Sequence, residues 1–141
     1  MEEDIRSIRK PSYLENNQFL VQTYQVDSKD GEIRGFKLVV EGEKAGELVI
    51  KLQNIQKTLQ IQLLLVERKY RERGFGTELL KSAEKIAAIA QLSKIVLRPY
   101  SLENFYIKDF ELRRWYASRG YKFSQGMMYR DIREEATAVI A

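Results

Sequence analysis

The chain has 141 residues, 44% apolar and 31% charged, the balance expected of one water-soluble domain with its own core. It contains no cysteine and no histidine, which excludes disulfides, thiolate nucleophiles, cysteine zinc sites and the commonest general base. The net charge of +4 suits anionic ligands such as phosphates and is too small to argue for nucleic acid.

Residues 1–17 are polar, with Pro11 and an Asn-Asn pair, and read as an arm or short helix. They lack the apolar core of a secretory signal, and no later run is long enough to span a bilayer, so a cytoplasmic protein with no membrane partner is expected. A single domain over 18–132 follows, then a frayed tail over 133–141. Phe19 to Val26 is rich in β-formers and predicts a first strand, closed by Asp27 to Gly31. Phe36, Leu38 and Val40 alternate with Lys37, Val39 and Glu41 as a second strand; Gly42-Glu43-Lys44 turns the chain, and Leu48, Ile50 and Leu52 return it as a third. In a fourth strand Leu59, Ile61, Leu63 and Leu65 fill one face, while the other changes from Gln60 and Gln62 to Leu64 and Val66.

Thr77 to Gln91 has the clearest helical period, with Leu79, Leu80, Ala83, Ile86, Ala87 and Ala90 on one stripe and Glu78, Lys81, Glu84 and Lys85 outside. Lys94 to Arg98 is a short strand ended by Pro99. The strand–helix–strand crossover makes the fourth and fifth strands parallel. Tyr100 to Lys108 is a long aromatic loop that either lines a groove or packs beneath itself. A second helix begins near Asp109, carries Phe110, Leu112, Trp115, Tyr116 and Arg119 near one face, and stops at Gly120. Tyr121 to Phe123 and Met127 to Ile132 close the domain as a hairpin. The result is an α/β fold of order β-β-β-β-α-β-α-β-β, its mixed sheet mostly antiparallel.

The pivotal stretch is Leu63 to Leu80. An apolar run, including Leu64, Leu65 and Val66, gives way to Arg71-Glu72-Arg73-Gly74-Phe75-Gly76, and helical periodicity starts at Thr77. Strand, glycine turn and helix N-terminus together form an anion cradle: glycines admit a close backbone approach, and the free N–H groups and helix dipole face the charge. It is not a Walker loop, since no Gly-Lys-Ser/Thr follows, nor a dinucleotide fingerprint, which needs Gly where Arg71 stands. From the residues alone, a basic turn capping a core helix is the other reading.

Spelled R-x-x-G-x-G, this turn resembles the acyl-CoA motif of the GNAT superfamily of N-acyltransferases, and Leu112 to Phe123 (LRRWYASRGYKF) looks like that family's helix-then-strand signature. The resemblance covers about residues 31–132. It implies a GNAT-like fold and an acetyl-CoA-dependent N-acetyltransferase acting on a primary amine of a small molecule or peptide, with coenzyme A as the only cofactor and no metal. It also implies that Arg71 to Thr77 hold the pyrophosphate, that backbone at Leu64 to Val66 meets the thioester carbonyl, and that Tyr116 protonates the leaving thiolate. From residues alone, Tyr116 is equally a core aromatic beside Trp115, and Leu64 to Val66 a core strand.

Two departures stand out. The family's two helices after the first strand have no counterpart, since Asp27 to Gly31 leaves room only for a turn; residues 1–17 or a homodimer partner are expected to cover the face carrying Val39 and Val49. Gln60 and Gln62 stand where some members carry a fourth-strand Glu base, so no base is named. A non-catalytic acyl-CoA-binding or interaction module on the same fold is the alternative.

Overall fold

The computed structural model describes residues 20–99 and 108–132; the arm, the aromatic loop from Tyr100 and the tail lie outside the described residues. The strands are β1 (Leu20–Ser28), β2 (Gly31–Val40), β3 (Glu43–Gln53), β4 (Thr58–Val66), β5 (Lys94–Leu97), β6 (Lys122–Ser124) and β7 (Met127–Asp131). The helices are α1 (Phe75–Ile89) and α2 (Asp109–Ala117). One sheet of order β1-β2-β3-β4-β5-β7-β6 holds the described strands, antiparallel except for the β4/β5 pair. This is the α/β order and the parallel pair that the crossover predicts.

β2 and β3 are longer than their alternating cores suggest. Glu41 and Gly42 both have positive φ (53° and 79°), the backbone of a two-residue hairpin turn whose twist matches the flanking strands. Ladder pairing therefore runs up to Glu43, and Gly42-Glu43-Lys44 is not the turn itself. Gln125 and Gly126 (φ 53° and 78°) make the same kind of turn between β6 and β7.

The decisive local feature is a bulge in β4. Ile50 pairs with Ile61 and Val49 with Leu63, so Gln62 is left over. One extra residue reverses which side chains face which way. Before the bulge, Leu59 and Ile61 face the core; after it, Leu64 lies opposite the fully buried Leu48 and joins the core with Val66. The expectation that Leu63 and Leu65 continue the face of Leu59 and Ile61 is thus corrected: Leu63 lies beside Val49 on the opposite face.

α1 packs its buried Leu79, Leu80, Ala83, Ile86 and Ala87 over β3, β4 and β5, each large aliphatic side chain contributing about 1.5–3 kcal/mol by leaving water. Glu84, expected on the outer face, is half-buried instead. It accepts hydrogen bonds from the Tyr121 hydroxyl (2.9 Å) and from Arg130 Nη1 (3.0 Å), pinning α1 to the end of the sheet. Phe110, expected near the apolar face of α2, is half exposed under the Arg114 guanidinium. Among the described residues no helix is long and apolar enough to cross a membrane.

Candidate functional site

β4 and β5 pair only from Thr58 and Lys94 to Ile61 and Leu97. From the bulge to Val66, β4 has no strand partner on its β5 side among the described residues. β4 alternates its backbone groups between its two neighbours, so alternate N–H and C=O groups between Gln62 and Val66 face a gap where a strand would lie. The gap opens into a cleft of about 910 Å³. Leu64, Leu65 and Val66 line one wall; Arg71, Glu72, Gly74, Phe75, Gly76 and Thr77 line its end; Leu112, Trp115, Tyr116 and Arg119 line the side formed by α2.

The turn that closes this end is built by short-range bonds. After β4, Arg68–Tyr70 form a single 3₁₀ turn, with Tyr70 N–H bonded to Glu67 O and Arg71 N–H to Arg68 O. Tyr70 is buried and its hydroxyl donates to Glu43 at 2.7 Å, which holds the Glu43 carboxyl below its usual range and the Tyr70 phenol above its own. Arg71 Nε donates to the Val66 carbonyl at 2.8 Å, tying the turn back onto the strand that leads into it. Glu72 and Gly74 then both take positive φ, 62° and 86°. At Gly74, the residue before α1, that geometry is what makes glycine necessary; space is not the reason, since nothing lies within 4 Å of where its β-carbon would be.

Gly74 has no side chain to cap α1. Glu78 N–H bonds the Gly74 carbonyl, while the N–H groups of Phe75, Gly76 and Thr77 bond no other described residue. These donors and the positive end of the α1 dipole lie together at this end of the cleft, an arrangement that favours an anion. The requirement at Gly76 is different. A β-carbon there would stand 3.3 Å from Trp115 Cζ2, so the missing side chain lets the indole lie against the first turn of α1.

Of the two arginines singled out in the turn, Arg73 does not line the cleft: its guanidinium sits 5.3 Å from the Tyr70 ring centroid and 5.4 Å from that of Phe75. Arg119 is the residue that sequence reasoning missed as part of the site. Its guanidinium donates from Nε and Nη2 to Thr77 Oγ1 (3.2 and 3.0 Å), lies 3.9 Å from the Trp115 ring, and brings a fixed positive charge to the start of α1. Its spacing four residues after Trp115 on a helical face was the only signal available.

Tyr116 is 4% exposed and borders the cleft between the rings of Trp115 (4.9 Å) and Tyr121 (5.6 Å), both edge-on. Burial pushes its phenol well above the usual tyrosine range, keeping it protonated. No described residue accepts a hydrogen bond from its hydroxyl. Burial, reinforced by Glu84, also raises Tyr121. Among the described residues, the carboxylates lining the cleft are Glu72, in the turn, and Glu111, which accepts the Lys108 main-chain N–H at 2.9 Å at the start of α2.

The family model described as the Acetyltransferase (GNAT) family matches residues 2–121. No curated protein matches in sequence. Among solved structures, an acetyltransferase of the GNAT family from Staphylococcus aureus Mu50 superposes with a TM-score of 0.59 at 13% identity, over 72% of this chain and 69% of that one. An aminoglycoside 6'-N-acetyltransferase complexed with coenzyme A gives 0.58 at 19% identity over 71% and 73%. A nourseothricin acetyltransferase gives 0.59 at 15% identity over 88% and 95%. At these identities the likeness is one of fold.

Proposed function

Since the chain belongs to the GNAT acetyltransferase family, we propose that it is an acetyl-CoA-dependent N-acetyltransferase that moves an acetyl group to a primary amine. One observation carries the reading: the edge of β4 from Gln62 to Val66, without a strand partner among the described residues, leads within one cleft to the uncapped first turn of α1. An extended chain with amide groups and a diphosphate at one end fits that sequence of donors. The main chain from Gln62 to Val66 takes the place of a strand partner, the N–H groups of Phe75, Gly76 and Thr77 take the phosphates, and Arg119 adds charge beside them.

Bound acetyl-CoA supplies the acetyl group as a thioester. A main-chain N–H of the free β4 edge is the donor available to a carbonyl oxygen lying along it, and a donor fixed in advance stabilises the charge that develops there. The neutral amine, its ammonium proton already released to solvent, forms the C–N bond through its lone pair as the C–S bond breaks. Tyr116 gives its hydroxyl proton to the departing sulfur and recovers one from the nitrogen, so that the proton lost by the amine ends on the thiol. Its buried phenol stays neutral at working pH, ready for that exchange.

One observation favours a non-catalytic acyl-CoA-binding role: no cleft-lining carboxylate comes from β4, where Gln62 faces the gap. Radiolabelled acetyl transfer across polyamines, amino acids, aminoglycosides and peptide N-termini separates the two. Label on any amine supports the enzyme; a stabilising effect of acetyl-CoA with no label on any class supports the binding module.

A further inference from the structure

The end of β5 carries a charge that the acetyl-CoA reading does not use. In β5, Ile95 and Leu97 are buried in the core, so Lys94 and Val96 project from the opposite face. Val96 lies opposite Gln60 and Leu97 opposite Ile61, and Arg98 is the first residue past the ladder, level with the bulge at Gln62. Pro99 follows, which keeps the Arg98 backbone extended and its side chain on the face of Val96. Arg98 is exposed and lines the cleft. Among the described residues, none forms a hydrogen bond or ion pair with its guanidinium.

The other cleft-lining arginines are placed differently: Arg68 and Arg71 follow β4 in the turn, and Arg119 is anchored to Thr77. Among the described residues, neither cleft-lining carboxylate, Glu72 in the turn or Glu111 at the start of α2, forms an ion pair with Arg98. Among the described residues, the site at the parting of β4 and β5, from the face opposite α1, is therefore cationic. A polycationic amine meets like charge there, whereas an amine that carries its own anion finds the Arg98 guanidinium.

We infer that the acceptor is a primary amine bearing a carboxylate or a phosphate close to the amino group, and that Arg98 binds this anion. The inference rests on the acetyl-transfer reading above and names its acceptor class. Guanidinium pairing with a carboxylate or phosphate is strong enough to separate matched acceptors by about tenfold or more.

The test compares leucine with 3-methylbutylamine and O-phosphoethanolamine with ethanolamine, in the wild type and in Arg98→Gln and Arg98→Lys. The expected result is a preference of about tenfold or more in kcat/KM for the anionic member of at least one pair. Arg98→Gln should erase it, and Arg98→Lys should retain part. The pair that discriminates tells carboxylate from phosphate. Equal or better use of both neutral amines, or a preference that survives Arg98→Gln, overturns the inference. If neither pair turns over, the same compounds are titrated calorimetrically onto the CoA-saturated protein. Binding of an anionic member that vanishes in Arg98→Gln supports the assignment, and absence of binding overturns it. Thermal stabilisation by acetyl-CoA, read first, keeps the two readings apart. Its loss in the wild type removes the transfer reading and this inference together, whereas its persistence confines any failure to the acceptor.

Discussion

The guanidinium of Arg119, just past the end of α2, donates two hydrogen bonds to the hydroxyl of Thr77 in the first turn of α1, at 3.2 Å from Nε and 3.0 Å from Nη2. The same guanidinium stacks on Trp115, whose indole in turn rests against Gly76. A cation just past the end of α2 thus ties that helix to the first turn of α1, at the end of the cleft lined by Gly76 and Thr77.

Replacing Arg119 by Gln should weaken acetyl-CoA binding by about 10- to 100-fold, the range for losing a charged hydrogen bond to a phosphate. Arg119→Lys should recover the charge but not the two-pronged bond to Thr77, and so fall between. Calorimetric titration with acetyl-CoA at low and moderate salt checks this. Equal affinity in all three proteins would leave Arg119 as a helix-to-helix tether alone.

Tyr116→Phe should lower turnover about 10²-fold or more while leaving acetyl-CoA binding nearly intact, because proton donation by a placed side chain is worth that much when it limits the rate. Phe keeps the edge-on packing against Trp115 and Tyr121, so only the hydroxyl is lost. Steady-state transfer beside a binding isotherm distinguishes the roles. Unchanged turnover with chemistry rate-limiting would make Tyr116 structural.

The buried tyrosines also predict how stability responds to alkali. Tyr116 and Tyr121 are both raised in the folded state, so the unfolded chain ionises first. Their contribution is fully present below the ordinary tyrosine pKa of about 10 and is lost as pH rises above it toward the folded values. Melting temperature should fall steeply above about pH 10, and less steeply in Tyr116→Phe. A melting temperature independent of pH in that window would mean that neither phenol is protected.

Strand order, the parallel pair and the glycine turn were legible because each depends on local pattern: alternation in β2 and β3, helical period in α1, and a crossover that fixes the direction of β5. The bulge at Gln62 was not. Leu63 to Val66 are all apolar, so a one-residue shift of register leaves the composition of both faces unchanged and gives periodicity nothing to detect. The turn glycines were found, but their reasons differ: Gly74 needs its positive φ, while Gly76 makes room for a tryptophan 39 residues later in the chain. Arg119 and Glu84 escaped for the same cause, since both act through partners distant in sequence, Thr77 for the one and Tyr121 and Arg130 for the other. The Arg71–Val66 bond shows the converse, a motif arginine whose visible work is to hold the turn on its strand.

The thermal shift produced by acetyl-CoA in the wild type and in Gly76→Glu tests the proposed acetyl-CoA site most directly. A carboxylate placed on the first turn of α1 would repel phosphates, and its β-carbon would press on Trp115 at the 3.3 Å approach. Stabilisation of the wild type by about 2.7 kcal/mol is expected at a ligand concentration a hundred times the dissociation constant, and none in a folded Gly76→Glu. No shift in the wild type at millimolar acetyl-CoA, or an equal shift in both proteins, would contradict it.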